Sequence, residues 1–277
     1  MTTTDFFIPR SVDEAVGLLR DHGPGLTVMG GGTIVMGLIN DGRLFPRKAM
    51  SLRRAGMDEL RAADGQIQIG AAATMARLSR LEELPILAQA AGMLGGPAVR
   101  TLATIGGNMF APPPYADIAV PLLALDAQIE LAGPRGRRAL PLDQFFTGLG
   151  QTACAADELL AGFSVPRSDG QSAYLRFGRR QANTPSVVAV AARVVTGADG
   201  TISEARIALG AAGPYPLRAR TAEAALVGRP LDAASIADAA AAAMAESDPP
   251  TDALASGWYR RKMVGVFVRR ALENLKG

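Results

Sequence analysis

Three adjacent glycines, Gly30-Gly31-Gly32, follow directly on the short apolar run Leu26 to Met29 and lead into Thr33. No other stretch restricts the fold as sharply. A backbone without Cβ atoms turns abruptly and lies close against another segment or a ligand. The sequence therefore predicts a buried strand, a tight turn and an apolar segment ending at Asn40-Asp41-Gly42. Upstream, Ser11 and Glu14 have the spacing at which two side chains cap each other's free amides at a helix start. Ala15, Val16, Leu18 and Leu19 supply that helix's apolar face, and Gly23-Pro24 stops it. A strand near 49–52 closes a small β-α-β unit.

Further on, Asp64-Gly65 signals a hairpin into the alternating strand Gln66-Ile67-Gln68-Ile69. Helical segments are expected over 74–94, broken at Pro85, and from Asp117 to Leu125. A strand at 127–132 turns through Gly133-Pro134-Arg135-Gly136 into a return strand at 137–141. The pattern breaks at Pro166 to Gly170, the expected domain boundary. Beyond it come strands at 172–178, 186–196 and 201–210, then helices at 220–228, 232–246 and 257–275. Strands followed by helices point to an α+β domain, not a wound parallel sheet.

Composition excludes several functions. With 277 residues, 48% of them hydrophobic, the chain has the size of two domains and can bury a sizeable core. The net charge of +3 is spread without a long basic run, so no nucleic-acid surface is expected. Cys154 and His22 are the only residues of their kinds. No iron–sulfur cluster, Cys/His zinc site, thiol pair or internal disulfide can be assembled from them. His22, just before Gly23, is expected to cap its helix and not to serve a triad. Met1 to Arg10 lacks a signal-peptide pattern, and no run approaches the roughly 20 apolar residues of a bilayer span. The expectation is a cytoplasmic protein with no membrane span.

A turn beside a helix start exposes backbone amides that attract anions, and Thr33 adds a hydroxyl. A tight turn that only packs against a neighbouring strand is the alternative. Neither common phosphate fingerprint fits: Leu38 stands where a P-loop needs lysine, and Val35 where a G-x-G-x-x-G pattern needs its third glycine. A second glycine loop, Thr104-Ile105-Gly106-Gly107-Asn108, is followed by the stiff Ala111-Pro112-Pro113-Pro114-Tyr115-Ala116 and by Asp117. Two glycine turns with a carboxylate nearby suit a long dinucleotide.

Other features read as structural. Arg260-Arg261-Lys262 is expected on the polar face of the last helix. The stripe Trp258, Tyr259, Met263, Val264, Phe267, Val268 and Leu272 is a core or subunit face. Asp143 with Phe145-Phe146 reads as a helix cap with its apolar staple. The pairs Glu82-Glu83 and Asp157-Glu158 lie on surface segments. Arg179 and Arg180 suit either a surface ion pair or an approach to a ligand.

The chain resembles the FAD subunits of the molybdenum hydroxylase family, which includes carbon monoxide dehydrogenase and the flavin domain of xanthine dehydrogenase. Val28 to Thr33 resembles that family's first FAD loop, and Thr104 to Asn108 matches its second letter for letter. Asp117 falls nine residues after Asn108, as a cofactor-contacting aspartate of the family does. Leu122 to Ala127, Tyr174 to Arg180, Tyr259-Arg260-Arg261 and Val268 to Leu272 add weaker likenesses. There are three departures. Gly30 stands where alanine is usual, Ile34 where a polar residue is frequent, and Arg176 where lysine is frequent, which alters geometry while keeping charge.

The resemblance implies an α+β protein. A two-subdomain α/β FAD-binding domain (PCMH-type) would span 1–168, with subdomains near 1–54 and 55–168. A C-terminal domain of the carbon monoxide dehydrogenase flavoprotein type, with an antiparallel sheet and helices, would span 169–277. The implied FAD contacts are Met29, Gly30, Gly31, Gly32, Thr33, Ile34, Val35, Thr104, Ile105, Gly106, Gly107, Asn108, Asp117 and Arg176, with no catalytic or metal residue. Implied partners are a molybdenum-pterin (molybdopterin) large subunit, an iron–sulfur small subunit with two [2Fe-2S] clusters, and a soluble electron acceptor, with NAD, a quinone, a cytochrome and oxygen all open. A stand-alone FAD-dependent oxidase and a non-enzymatic nucleotide-binding interaction module are the rival readings.

Overall fold

The computed structural model describes residues 5–167, 169–180 and 183–276. Met1 to Thr4 of the N-terminal stretch, and Ser168 of the expected boundary, lie outside the described residues.

The chain opens with a three-stranded parallel sheet, β1 (Asp5–Phe7), β2 (Leu26–Met29) and β3 (Lys48–Ser51), in the order β1-β3-β2. Helices α1 (Val12–His22) and α2 (Thr33–Asn40) connect them. The Ser11 hydroxyl caps α1 by accepting from Glu14 N at 3.1 Å. The Glu14 carboxylate reaches one residue further back than expected and accepts from Arg10 N at 2.7 Å. His22 does not cap the helix. Gly23 does so with its N–H on Leu19 O, while the His22 ring stacks on Phe7 and meets Lys48 Nζ at 3.0 Å.

Next come the hairpin β4 (Leu60–Ala63) and β5 (Gln66–Gly70), then four short helices, α3 (Met75–Leu78), α4 (Pro85–Met93), α5 (Pro97–Arg100) and α6 (Ile105–Met109). Pro85 opens α4 and does not break a longer helix, since a first-position proline gives up only an amide that has no helical acceptor. Helix α7 (Ala119–Ala124) precedes the hairpin β6 (Gln128–Gly133) and β7 (Gly136–Pro141). A small hairpin, β8 (Phe146–Gly148) and β9 (Gln151–Thr152), leads to β10 (Leu159–Pro166). Strand β10 lies at the centre of an antiparallel sheet in the order β4-β5-β10-β6-β7. Asp143 sits in a one-turn 3-10 segment, pairs with Arg220 and caps no helix.

The remainder is an antiparallel sheet in chain order, β11 (Gln171–Gly178), β12 (Ser186–Thr196), β13 (Ile202–Gly210) and β14 (Leu217–Arg218). Helices α8 (Arg220–Ala224), α9 (Ala233–Glu246) and α10 (Gly257–Glu273) follow. Strand β12 is buried on both faces, which explains its unbroken apolar run. Val188, Val190, Ala192 and Val194 face the core shared with α9 and α10, while Ala189 and Ala191 face the core of the preceding half with α7.

Arg260 is not on a polar face. It is fully buried, donating to both oxygens of Asp252 at 2.8 Å and to the carbonyls of Ser186 and Val187. The stripe on α10 divides accordingly. Val264, Phe267, Val268 and Leu272 enter the core, whereas Trp258 is 70% exposed.

Candidate cofactor site

The two glycine loops meet. An ideal Cβ on Gly31 would lie 1.7 Å from Leu102 O, and one on Gly30 2.6 Å from Thr104 Oγ1. One on Gly106 would lie 2.8 Å from Ala71. These glycines let the loops and the strand behind them pack backbone against backbone. Alanine, usual in the family at position 30, would crowd the threonine here.

The loops differ in what they offer a ligand. In the second loop the amides are already used. Ile105 N donates to Ala73 O at 2.9 Å, Gly106 N to Ala71 O at 2.8 Å and Gly107 N to Thr104 Oγ1 at 3.1 Å. The Asn108 side chain accepts from Ile118 N at 3.1 Å. The first loop is the opposite case. Gly32, with φ of 76°, turns the chain into α2, and no side chain caps that helix. The first-turn amides of a helix have no partner inside it, and here they border a cavity.

That cavity has a volume of 950 Å³ and runs between the three-stranded unit and the larger antiparallel sheet. Gly30 to Val35, Thr104, Gly106, Gly107 and Asn108 line it. Met29 packs under the turn, with its Cε 3.1 Å from the ideal Cβ position of Gly32, and Ile105 is fully buried in the core. Neither Asp117 nor Arg176 is among the lining residues. They pair with each other instead, Arg176 Nε to Asp117 Oδ2 at 3.0 Å, each side chain 7% exposed. Ser186 Oγ donates to the same carboxylate oxygen at 2.6 Å, and Arg176 also donates to Thr184 O. Thr184 and Pro185 do line the cavity, so the buried pair shapes its wall from behind.

Two wall segments carry no motif and escape a sequence reading. Asn183 to Pro185 closes one side, fixed by Gly96 N donating to Asn183 Oδ1 at 2.9 Å. Cys154 to Ala156 with Glu158 to Leu160 closes another. Glu158 is not a surface carboxylate as expected. Its side chain is 7% exposed and takes two 2.7 Å bonds from Arg138. The Arg138 hydrogen bonds hold its carboxyl below the ordinary value. Burial, then the Glu158 charge, push the Cys154 thiol up to about 11. It stays protonated and donates to Glu158 O at 3.4 Å.

A volume of 950 Å³ lies at the upper end of the roughly 300–1,000 Å³ of small-molecule sites. Its lining is mostly apolar, with polar residues both on the glycine loops (Thr33, Thr104, Asn108) and on the walls (Glu158, Asn183, Thr184). The fold and site thus define an α+β protein built to hold an extended, phosphate-bearing cofactor, and they fit FAD. Residues 2–168 match the family described as the FAD binding domain in molybdopterin dehydrogenase, and residues 172–275 match the carbon monoxide dehydrogenase flavoprotein C-terminal domain. The chain is 30% identical to the xanthine dehydrogenase FAD-binding subunit of Escherichia coli O157:H7, over 94% of this chain and 91% of that one. It is also 30% identical to the carbon monoxide dehydrogenase medium chain of Afipia carboxidovorans, over 98% and 96%. Among solved structures, carbon monoxide dehydrogenase from Hydrogenophaga pseudoflava superimposes with a TM-score of 0.94 at 30% identity, covering 98% of this chain and 96% of that one. The chain belongs to the FAD-binding subunits of the molybdenum hydroxylase family and is an oxidoreductase component.

Proposed function

We propose that this chain holds FAD in the 950 Å³ cavity and passes electrons between the iron–sulfur clusters of one partner subunit and an external acceptor. Substrate would be oxidised on a second, molybdenum-pterin partner, in a cytoplasmic assembly. One observation carries the reading: an uncapped helix start opens into a glycine-lined cavity of dinucleotide size. The free amides from Gly31 to Val35, with the Thr33 hydroxyl, are the groups for a pyrophosphate, since helix N-termini favour anions. Thr104, Gly107 and Asn108 form the facing wall. Met29 and Ile105 support the two turns from beneath. Asp117 and Arg176 act as positioning residues that set the Thr184-Pro185 wall. When bound, FAD supplies both one- and two-electron chemistry, while the chain orients it and keeps water away. In this reading residues 1–168 form the FAD-binding domain, with subdomains near 1–54 and 55–168, and 169–277 form the C-terminal domain.

Heat release of the cofactor followed by chromatography tests the first part, with one FAD per chain expected. FMN alone from intact protein would overturn it. Purification from the native source is expected to bring two further polypeptides with molybdenum and iron. Substrate turnover by the isolated chain would favour a stand-alone oxidase instead.

A further inference from the structure

Beside the large cavity lies a second, smaller one of 210 Å³. Ile34 and Phe110 belong to the walls of both, so the two cavities adjoin. Phe146 and Tyr215 also line it, stacked on each other with ring centroids 6.0 Å apart and planes 14° from parallel. The segment Pro112 to Tyr115 forms a further wall. No residue lining this cavity is charged. The Tyr115 hydroxyl is committed to Asp252 at 2.7 Å. Gln151 and Thr152 are the lining residues, besides the tyrosines, whose side chains carry hydrogen-bond donors.

We infer that this cavity binds a small, planar, uncharged aromatic carbonyl compound of the quinone class. Its volume falls below the roughly 300–1,000 Å³ of sites for whole drug-sized ligands, which limits the bound part to one or two fused rings. Phe and Tyr rings in the lining favour an aromatic guest through stacked or edge-to-face contacts. Gln151 and Thr152 can donate to carbonyl oxygens, which a plain hydrocarbon would leave unused. A pyridine dinucleotide is disfavoured, because its phosphates would enter a lining with no cation to pair them. This rests on the function proposed above: with FAD in the adjoining cavity, the occupant would lie beside the cofactor site, as an external acceptor must.

Menadione is the probe, titrated by calorimetry into the full chain both loaded with FAD and stripped of it. Saturable one-to-one binding is expected in both forms. Tyr215→Ala should weaken it about three- to tenfold, the worth of one aromatic stack, and Tyr215→Phe should restore it. Gln151→Ala should weaken menadione but not 2-methylnaphthalene, which lacks the carbonyls. FAD content and melting temperature, read on every variant, separate this site from the cofactor site. Absence of FAD from the wild type would count against the function proposed above, while menadione binding to the stripped chain would still stand. Non-saturating binding, equal affinity in Tyr215→Ala, displacement of FAD by menadione, or competition by NAD would each overturn the inference.

Discussion

A methyl group added at Gly31 would lie 1.7 Å from a backbone oxygen of Leu102, which has little room to retreat. At Gly107 the same addition meets only the Thr104 hydroxyl, at 3.0 Å, and otherwise borders the cavity. The two positions should therefore fail differently. Gly31→Ala is expected to separate the loops and lower stability by at least the about 1–3 kcal/mol typical of overpacking. Gly107→Val should leave a folded chain that no longer takes up FAD. Flavin titration by fluorescence, with circular dichroism for folding, reads both. If Gly107→Val still binds FAD one-to-one, the second loop is only a turn. Glycine clusters announce themselves in a sequence, which is why both loops were legible. What each glycine does was not, because Leu102 and Ala71 reveal nothing about facing Gly31 and Gly106 until the chain is folded.

Asp117 gains a buried partner, Arg176, once β11 and β12 are in place. As a cofactor ligand its loss would cost affinity, but here it would leave Arg176 buried and unpaired. Breaking such a pair typically costs about 3–5 kcal/mol, so Asp117→Ala should shift the urea midpoint strongly. Adding Arg176→Met should recover part of the loss. An unchanged midpoint with weakened FAD would return Asp117 to the cavity. Helix α10 repeats the lesson. Arg260 stands four and eight residues before Val264 and Val268, in phase with the buried stripe, yet its neighbours Arg261 and Lys262 made the trio read as a polar face. Helical phase was the better guide than charge. Element positions and types were largely legible, since alternating strands and capped helices are local patterns. Pairings 59 residues apart, such as Arg176 with Asp117, leave no local trace.

Asp252, the partner of Arg260 on that helix, carries a pH dependence. Burial alone would raise the Asp252 carboxyl, but hydrogen bonds from Tyr115 and Arg260 outweigh it and lower it from 3.8 to about 2. A carboxyl depressed on folding stabilises above its unfolded value, and that contribution disappears as pH falls through the folded one. Stability should therefore drop between pH 3.8 and about 2, and Asp252→Asn should flatten that part of the profile. Denaturation midpoints from pH 5 down to 2.5 provide the check. At the alkaline end, burial and then the Asp252 bond push the Tyr115 phenol up to about 12. Its stabilisation is present below the ordinary value of 10.0 and is lost as pH rises toward 12.

Across the whole molecule, the two halves are joined by charge as well as by apolar packing. Asp126, just after α7, receives Arg193, Arg206 and Arg218 from the C-terminal sheet, at 2.7–2.9 Å. Glu204 and Glu223 accept from the same arginines, bringing the cluster to three carboxylates and three guanidinium groups. Asp126→Ala should destabilise the chain and split its unfolding into two transitions, seen as non-coincident circular dichroism and fluorescence curves. One unchanged cooperative transition would show that the junction rests on the apolar packing of β11, β12 and β13 alone.

Strand β12 also bears on how such proteins can be recombined. The two family matches part between residues 168 and 172, and a chimera with a relative would naturally be spliced there. Yet Ala189 and Ala191 fill space against α7, upstream of that splice. A graft of the downstream half would carry one side of a jigsaw cut for another partner, and its misfit would surface far from the seam. Recombinants that exchange α7 together with the downstream half should be the ones that survive.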